Sequence, residues 1–557
     1  MSVFLDLLNQ FKSNHNGRQW IFVPYDQLTD SIGPLSVEDP RTLGILMIEN
    51  PWKAQRRPYH KQKLALIISN MRHFALEQAE RGVVVKYVMA SGPYRDVIEP
   101  LAKEIGPVRV MTPAEWELRH DLEPLVKLGL IRMIDHEGWL TDSSLLHRVE
   151  KPGPSWRMDA FYREARKTSG ILMSKGKPMG GKYSHDTANR LPWRGLPVAP
   201  EPLGFPMTPV KEEVGRLIAK NYSHHPGRLN LYNLPSTKSD AENLWAWATD
   251  NCLEWFGPYE DAMSSISSGL FHTRISSLLN IHRLLPSRVV AEVVGLDIPI
   301  QSKEGFIRQV LGWREFVKHA HTTTDGFRVI GDTVFPLTNF PGDGGYRTWA
   351  QKKWPVKWNE SEPPGGACPN WLKATGSLPM AYWGAKSGMA CLDAVVSDVW
   401  REGYSHHITR LMILSNIATL LDVNPRELTD WFWLAYTDAY DWVVEPNVLG
   451  MGTYAVGPLM TTKPYVSGAN YINRMSNFCD SCRLDPSKTC PLTPMYWAFL
   501  ERRKQDLLGN PRLGLVMKSL DRRPESIKAQ DRAVFNFVRK RLDEGAIIDP
   551  KDLEKIK

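Results

Sequence analysis

At 557 residues the chain exceeds one ordinary domain, and two or three are expected. Hydrophobic residues at 42% and charged residues at 23% exclude a disordered or fibrous chain, and six cysteines over that length exclude a secreted disulfide scaffold. A formal net charge of +8 favours a polyanion such as DNA or RNA as partner without requiring one.

Met1 to Asn16 lacks the charged start and apolar core of a signal peptide, and no run reaches the ~18 apolar residues of a membrane span, so a protein of the reducing cytosol is expected. Apolar runs at Gln19–Val23 and Thr42–Ile48 have strand length. From His60 to Glu80, Leu64, Ile67, Ile68, Met71 and Phe74 recur at three and four, the stripe of an amphipathic helix that Gly82 ends. Val83–Val88 predicts a strand, Tyr94–Ile105 a helix, Val108–Met111 a strand and Leu130–Ile134 another. This alternation predicts a Rossmann-like α/β domain over residues 1–150, with a parallel sheet covered by helices. Val23-Pro-Tyr-Asp-Gln-Leu28 follows the first strand where a GxGxxG would stand, so the usual dinucleotide fingerprint is absent.

Residues 151–240 read as a basic interdomain connection rich in proline, from Pro152 and Pro154 to Pro200 and Pro202, with one helix near Asp159–Lys167. Its arginines and lysines form either a solvated linker or a phosphate-contacting surface. Over residues 241–557 the pattern turns helical, at Ala241–Trp255, Ile300–His319, Met389–Leu421 and Pro425–Tyr440. Thr322–Pro379 has no such periodicity and predicts a long functional or mobile loop, with Trp349, Trp354, Trp358 and Trp371 in it. A charged terminal helix follows Arg522.

Three groups in the helical part carry chemistry. Cys479-x-x-Cys482, Cys490-Pro491 and the distant Cys391 can meet at one centre; spacing separates neither zinc from an iron–sulfur cluster nor either from plain buried thiols. On a helix, His406 and His407 would point about 100° apart, His406 sharing a face with Arg410. One of them could meet a ligand and move a proton near neutral pH; two structural histidines are the plain alternative. Phe271-His272-Thr273-Arg274-Ile275-Ser276-Ser277 sets hydroxyls and amides ahead of a helix, suited to phosphates or to a simple cap. Twenty tryptophans suit core packing, or stacking platforms and electron relays.

Arg308-Gln-Val-Leu-Gly-Trp-Arg-Glu-Phe316, Tyr404-Ser-His-His-Ile-Thr-Arg-Leu-Met412, Pro446-Asn-Val-Leu-Gly-Met451, Thr462-Lys-Pro-Tyr465, Asn470-Tyr-Ile-Asn-Arg-Met475 and the four cysteines together resemble the iron–sulfur bacterial cryptochromes and photolyases, the prokaryotic (6-4) photolyases. The likeness runs upstream through Tyr59-His-Lys-Gln-Lys63, Met71-Arg-His-Phe74 and Phe161-Tyr-Arg-Glu164, and so covers nearly the whole chain. It implies the cryptochrome/photolyase fold: the α/β domain, and an all-α domain that binds FAD and carries a [4Fe-4S] cluster on Cys391, Cys479, Cys482 and Cys490. It further implies blue-light repair of (6-4) photoproducts in UV-damaged DNA, by a lyase that is monomeric and resident in the bacterial cytoplasm. His407 would be the proton-transferring residue, with His406 beside it and Tyr465 and Ile67 near the lesion. His272, Thr273, Ile275 and Ser276 would hold the flavin pyrophosphate, and Trp313, Arg314, Asp438 and Asn447 the ring system and ribityl chain. Trp431 would reduce the flavin, with Trp383 as its outer relay partner. Arg157, Lys182 and Lys463 would contact DNA phosphates. A 6,7-dimethyl-8-ribityllumazine antenna and Mg2+ are further cofactors that the family brings into question.

Three positions depart from the family pattern. Phe432 stands where relatives carry tyrosine beside the relay tryptophan. Val444 replaces an acid near the flavin. Lys53 falls where an acidic antenna contact is expected, though Glu49 remains. Two other functions fit the same residues: a photosensory cryptochrome that keeps flavin and cluster without repair, and a metal-stabilised DNA-binding protein without catalysis.

Overall fold

The computed structural model describes residues 2–11, 14–149, 155–335 and 366–556. Most of the expected long loop, with Trp349, Trp354 and Trp358, lies outside the described residues, as do Pro152 and Pro154.

Five strands, β1 (Gln19–Phe22), β2 (Leu43–Glu49), β3 (Val84–Met89), β4 (Val108–Met111) and β5 (Ile131–Ile134), form one sheet in the order β3-β2-β1-β4-β5, every pair parallel. All seven residues of β2 are buried, as a strand covered on both faces requires. Gly44 in β2 is obligatory for packing: a Cβ there would sit 2.7 Å from the Trp20 ring of β1. The helix Lys61–Glu80 starts where the His60 side chain accepts the Gln62 N–H at 3.0 Å, and the helix Tyr94–Ile105 gives way to Gly106 at φ 91°. A helix that periodicity did not announce, Trp116–Lys127, links β4 to β5, with Pro124 in its last turn.

Among the described residues, the stretch 151–240 holds two α-helices ahead of Lys238–Asn251: Met158–Ser169 near the place expected and Pro209–Asn221, which the prolines around it concealed. The latter begins with Pro209 in its first turn and Thr208 accepting from the Lys211 N–H at 3.1 Å. Both pack inward, Phe161 and Tyr162 joining the core of the sheet and Val214 and Ile218 joining the core under the C-terminal helices. Beyond them Thr237 and Asp240 form a capping box at the start of Lys238–Asn251.

Two of the long helices expected from periodicity are interrupted. Ile300–Thr323 is helical throughout but widens into a π-turn at Arg308–Arg314. Met389–Leu421 breaks: Ala390–Glu402 ends on Gly403 at φ 65°, and His406 is extended (φ −77°, ψ 168°) before helix resumes at His407 and widens again at Arg410–Ser415. A third π-turn spans Pro446–Gly452. Among the described residues no helix is long and apolar enough to cross a membrane.

Candidate active site

The three π-turns share a purpose visible in space. Each contributes to the wall of one cavity of about 1180 Å³, through Trp313 and Arg314, through Arg410, Met412 and Ser415, and through Asn447, Val448 and Met451. A π-turn carries one residue more than a helical turn needs and so re-aims side chains, which is why such turns gather at functional sites.

The cavity brings together most of the residues singled out from sequence. His272, Thr273, Ile275, Ser276, Trp313, Arg314, His406, His407, Asp438, Asn447 and Tyr465 line it, and Lys182 and Lys463 stand at its exposed rim. Arg157 does not line it; its Nη1 donates to the carbonyls of Trp156 at 2.7 Å and Pro458 at 3.0 Å. Ile67 packs against the core of the sheet instead of facing the cavity.

The floor is a connected polar lattice that the sequence did not disclose. Arg410 clamps Asp438 with two nitrogens, at 3.1 and 2.9 Å, and Ser276 Oγ donates to the same carboxylate at 2.7 Å. Burial opposes charge on Asp438, but Arg410 and Ser276 outweigh it and hold the carboxyl below its usual range. Asn280 donates to the Asp438 carbonyl at 2.8 Å and accepts from Arg314 Nε at 3.4 Å, so the clamp reaches across to the next π-turn. Arg410 was expected to share a helix face with His406; because His406 is extended, that face is broken and Arg410 turns to Asp438.

Above this floor stand three imidazoles. His272 stacks on His406 with ring centroids 4.4 Å apart and planes 8° from parallel, while His407 meets His272 edge-on at 5.4 Å. Nδ1 of His406 and Nε2 of His272 are buried without a hydrogen-bond partner. Desolvation, then the neighbouring imidazoles and arginines, keep His272 and His406 neutral; desolvation with Arg308 and Arg410 lowers His407 to about 4. Ligand atoms of the trio lie within 4.8 Å of one another. The stacked rings of His272 and His406 nevertheless hold their lone pairs in two near-parallel, separated planes, so as oriented they do not converge on one ion. His407 Nε2 lies 3.9 Å from Asp261, which sequence inspection passed over for want of any motif.

Phe432 lines the cavity and Trp431 does not; the two rings are 5.2 Å apart. Trp431 and Trp383 are both buried, at 0% and 2% exposure.

The four cysteines converge elsewhere. Cys391, Cys479, Cys482 and Cys490 line a void of about 20 Å³ with Met389, Phe478 and Leu484. Sequence spacing left Cys391 far from the other three; the fold brings it to the same void as Cys479, Cys482 and Cys490. Burial, then the other thiols, push Cys391 upward, and burial sends Cys490 to about 12, the environment in which a thiol becomes a thiolate only beside a cation.

Near β2, Lys53 donates to Tyr25 Oη at 2.6 Å and pairs with Glu115, and Glu49 is taken up by Arg72 and Tyr87.

Residues 21–233 match the family model described as deoxyribodipyrimidine photo-lyase-related protein. Over 544 residues, 94% of this chain and 100% of the relative, the sequence is 29% identical to a (6-4) photolyase of Agrobacterium fabrum. Over 116 residues, 21% of this chain and 91% of the relative, it is 30% identical to an uncharacterised protein of Acanthamoeba polyphaga mimivirus. The crystal structure of a bacterial class III photolyase from Agrobacterium tumefaciens shares the fold at 14% identity, with a TM-score of 0.50 over 95% of this chain and 99% of that one.

Proposed function

Because this chain belongs to the iron–sulfur bacterial cryptochrome and photolyase family, we propose that it is a light-driven DNA lyase that reverses (6-4) pyrimidine–pyrimidone photoproducts, with FAD in the cavity and a [4Fe-4S] cluster on the four thiols. The observation that carries this reading is the placing of neutral His406 and His407, with Tyr465, on the wall of the cavity whose floor is the Arg410–Asp438–Ser276 lattice.

When bound, reduced flavin supplies the light-absorbing ring and one electron that returns once the lesion has opened. The chain does the rest. Thr273 would offer a hydroxyl to a pyrophosphate, with Ser276 and Arg410 fixing the Asp438 carboxylate beside it; Trp313, Arg314 and Asn447 would offer a flat wall and donors to a ring system. A damaged base is flipped out cheaply because its stacking is already spoiled. His407 Nε2 gives a proton to the hydroxyl group that migrates back to its original ring, and takes it back afterwards. At rest His407 is neutral, so it must first acquire that proton. Asp261, 3.9 Å away, is the nearest carboxyl store: burial, then Asp186, raise it to about 6. Lys182 and Lys463 at the rim suit the phosphates flanking the lesion.

For a lumazine antenna the expected contacts are engaged, Lys53 with Glu115 and Glu49 with Arg72, and such a ligand would displace them. Extraction of the chromophores and metal analysis of the purified protein decide the antenna and Mg2+.

The test is repair of an oligonucleotide bearing one (6-4) lesion under blue light. Wild type restores the two pyrimidines; His407→Ala binds the lesion but repairs it slower by about 10²–10⁴-fold. If wild type and variant are equally inert with flavin bound and reduced, the repair function is wrong and a photosensory role takes its place.

A further inference from the structure

We infer that Trp400, not Trp383, is the outermost ring of an aromatic path from the cavity to solvent, passing electrons from a dissolved thiol to Trp431. The inference rests on the proposed flavin occupying the cavity, and concerns how that flavin is brought to its reduced state.

An outer relay ring must meet the reductant. Trp383 is 2% exposed and Trp431 wholly buried, whereas Trp400 is only half-buried. Trp400 also contacts both of the others: its ring centroid is 5.9 Å from that of Trp431, perpendicular, and 5.2 Å from that of Trp383, stacked at 17°. One acceptor holds the first pair, for the indole N–H of Trp400 and that of Trp431 both donate to the Tyr382 carbonyl, at 2.9 and 3.0 Å. The negative end of that carbonyl dipole therefore faces both rings and favours positive charge on either. The His60 ring lies parallel to Trp400 at 5.8 Å, and burial lowers its pKa to about 4, so it brings no opposing charge. Trp383 is left as a side-stack that spreads the charge of an oxidised Trp400. On the inner side Phe432 separates Trp431 from the cavity. Its phenyl ring has no hydroxyl to lose a proton and is harder to oxidise than an indole, so the stations of the path are the two tryptophans.

The electrons balance. One electron leaves Trp431 for the photo-excited flavin, and Trp400 refills Trp431. A thiolate gives one electron to Trp400, and the two thiyl radicals produced by two such events close a disulfide. The flavin gains what the thiol loses.

Photoreduction of the flavin-containing protein by dithiothreitol tests the order. Trp400→Phe and Trp431→Phe are expected to slow it by about an order of magnitude each, the double variant no further because the stations lie in series, and Trp383→Phe several-fold less. A second measurement is independent of the flavin's chemistry. A dissolved one-electron oxidant applied in the dark, followed by peptide mass mapping, is expected to mark Trp400 before Trp383 and Trp431. Wild-type speed in Trp400→Phe, an equal loss in Trp383→Phe, or first marking at Trp383 overturns the assignment. Repair by wild type reduced chemically in the dark reports on the lesion chemistry alone, so failure there leaves the relay standing.

Discussion

Buried polar chemistry beside the sheet differs in kind from that around the cavity and the thiols. Near β2 and the helices that follow it, ions answer one another inside the protein: Arg72 with Glu49, and Arg57 with Glu117. Around the cavity the Arg410–Asp438 pair stands beside imidazole nitrogens of His272 and His406 that have no partner, and four cysteines line one void. Since a buried polar group without a partner is costly, the ion pairs beside the sheet are complete as protein alone, and the histidines of the cavity and the thiols are suited to something added.

The largest effect should come from the incomplete region. Cys482→Ala is expected to remove the iron and most of the soluble folded protein together, because the energy of ligation is energy of folding; a stable, soluble, iron-free variant would break the contrast. Next comes the complete region. Glu117→Gln leaves the Arg57 guanidinium, 2% exposed, without its carboxylate, and should cost about 3–5 kcal/mol in urea unfolding. A loss under 1 kcal/mol would show that water or relaxation completes the site.

Asp26 tests the boundary between the two. Its Oδ1 has no partner although it lies beside Lys53, and burial raises its carboxyl to about 7 against that lysine's pull. The unfolded chain releases this proton near 3.8, so between about pH 4 and pH 7 the folded form holds more protons. Its contribution therefore weakens stability as pH rises through that window. Asp26→Asn should flatten this slope and gain about 2 kcal/mol at pH 8, read from thermal melts across pH. The smallest effect belongs to the rim: Lys463→Ala should lower the salt dependence of DNA binding by about one phosphate contact and weaken all sequences alike.

Legibility from sequence followed the same division. Tyr94–Ile105 and Val108–Met111 were evident to the residue, because a regular element between regular neighbours leaves its period in the chain. Trp116–Lys127 escaped because charge and an internal proline obscure its stripe. In the cavity the motif residues were recognisable and their arrangement was not. Gly403 is a stop of the same kind as Gly82, but the periodicity of Met389–Leu421 runs on past it and hid that His406 leaves the helix and frees Arg410 for Asp438. Asp261 and Trp400 belong to no motif, and only the folding of distant segments gives them neighbours.

Each π-turn also makes the cavity answerable to chain length as well as to side-chain identity. Deleting one residue within Arg308–Arg314 would close that turn to ordinary helix, leaving the flanking turns in phase and re-aiming the side chains of the turn itself. Trp313 and Arg314 would leave the wall although neither had been replaced. Such a fold can gain or lose its cofactor by a single-codon insertion or deletion, a route that substitution-by-substitution comparison of relatives would not register.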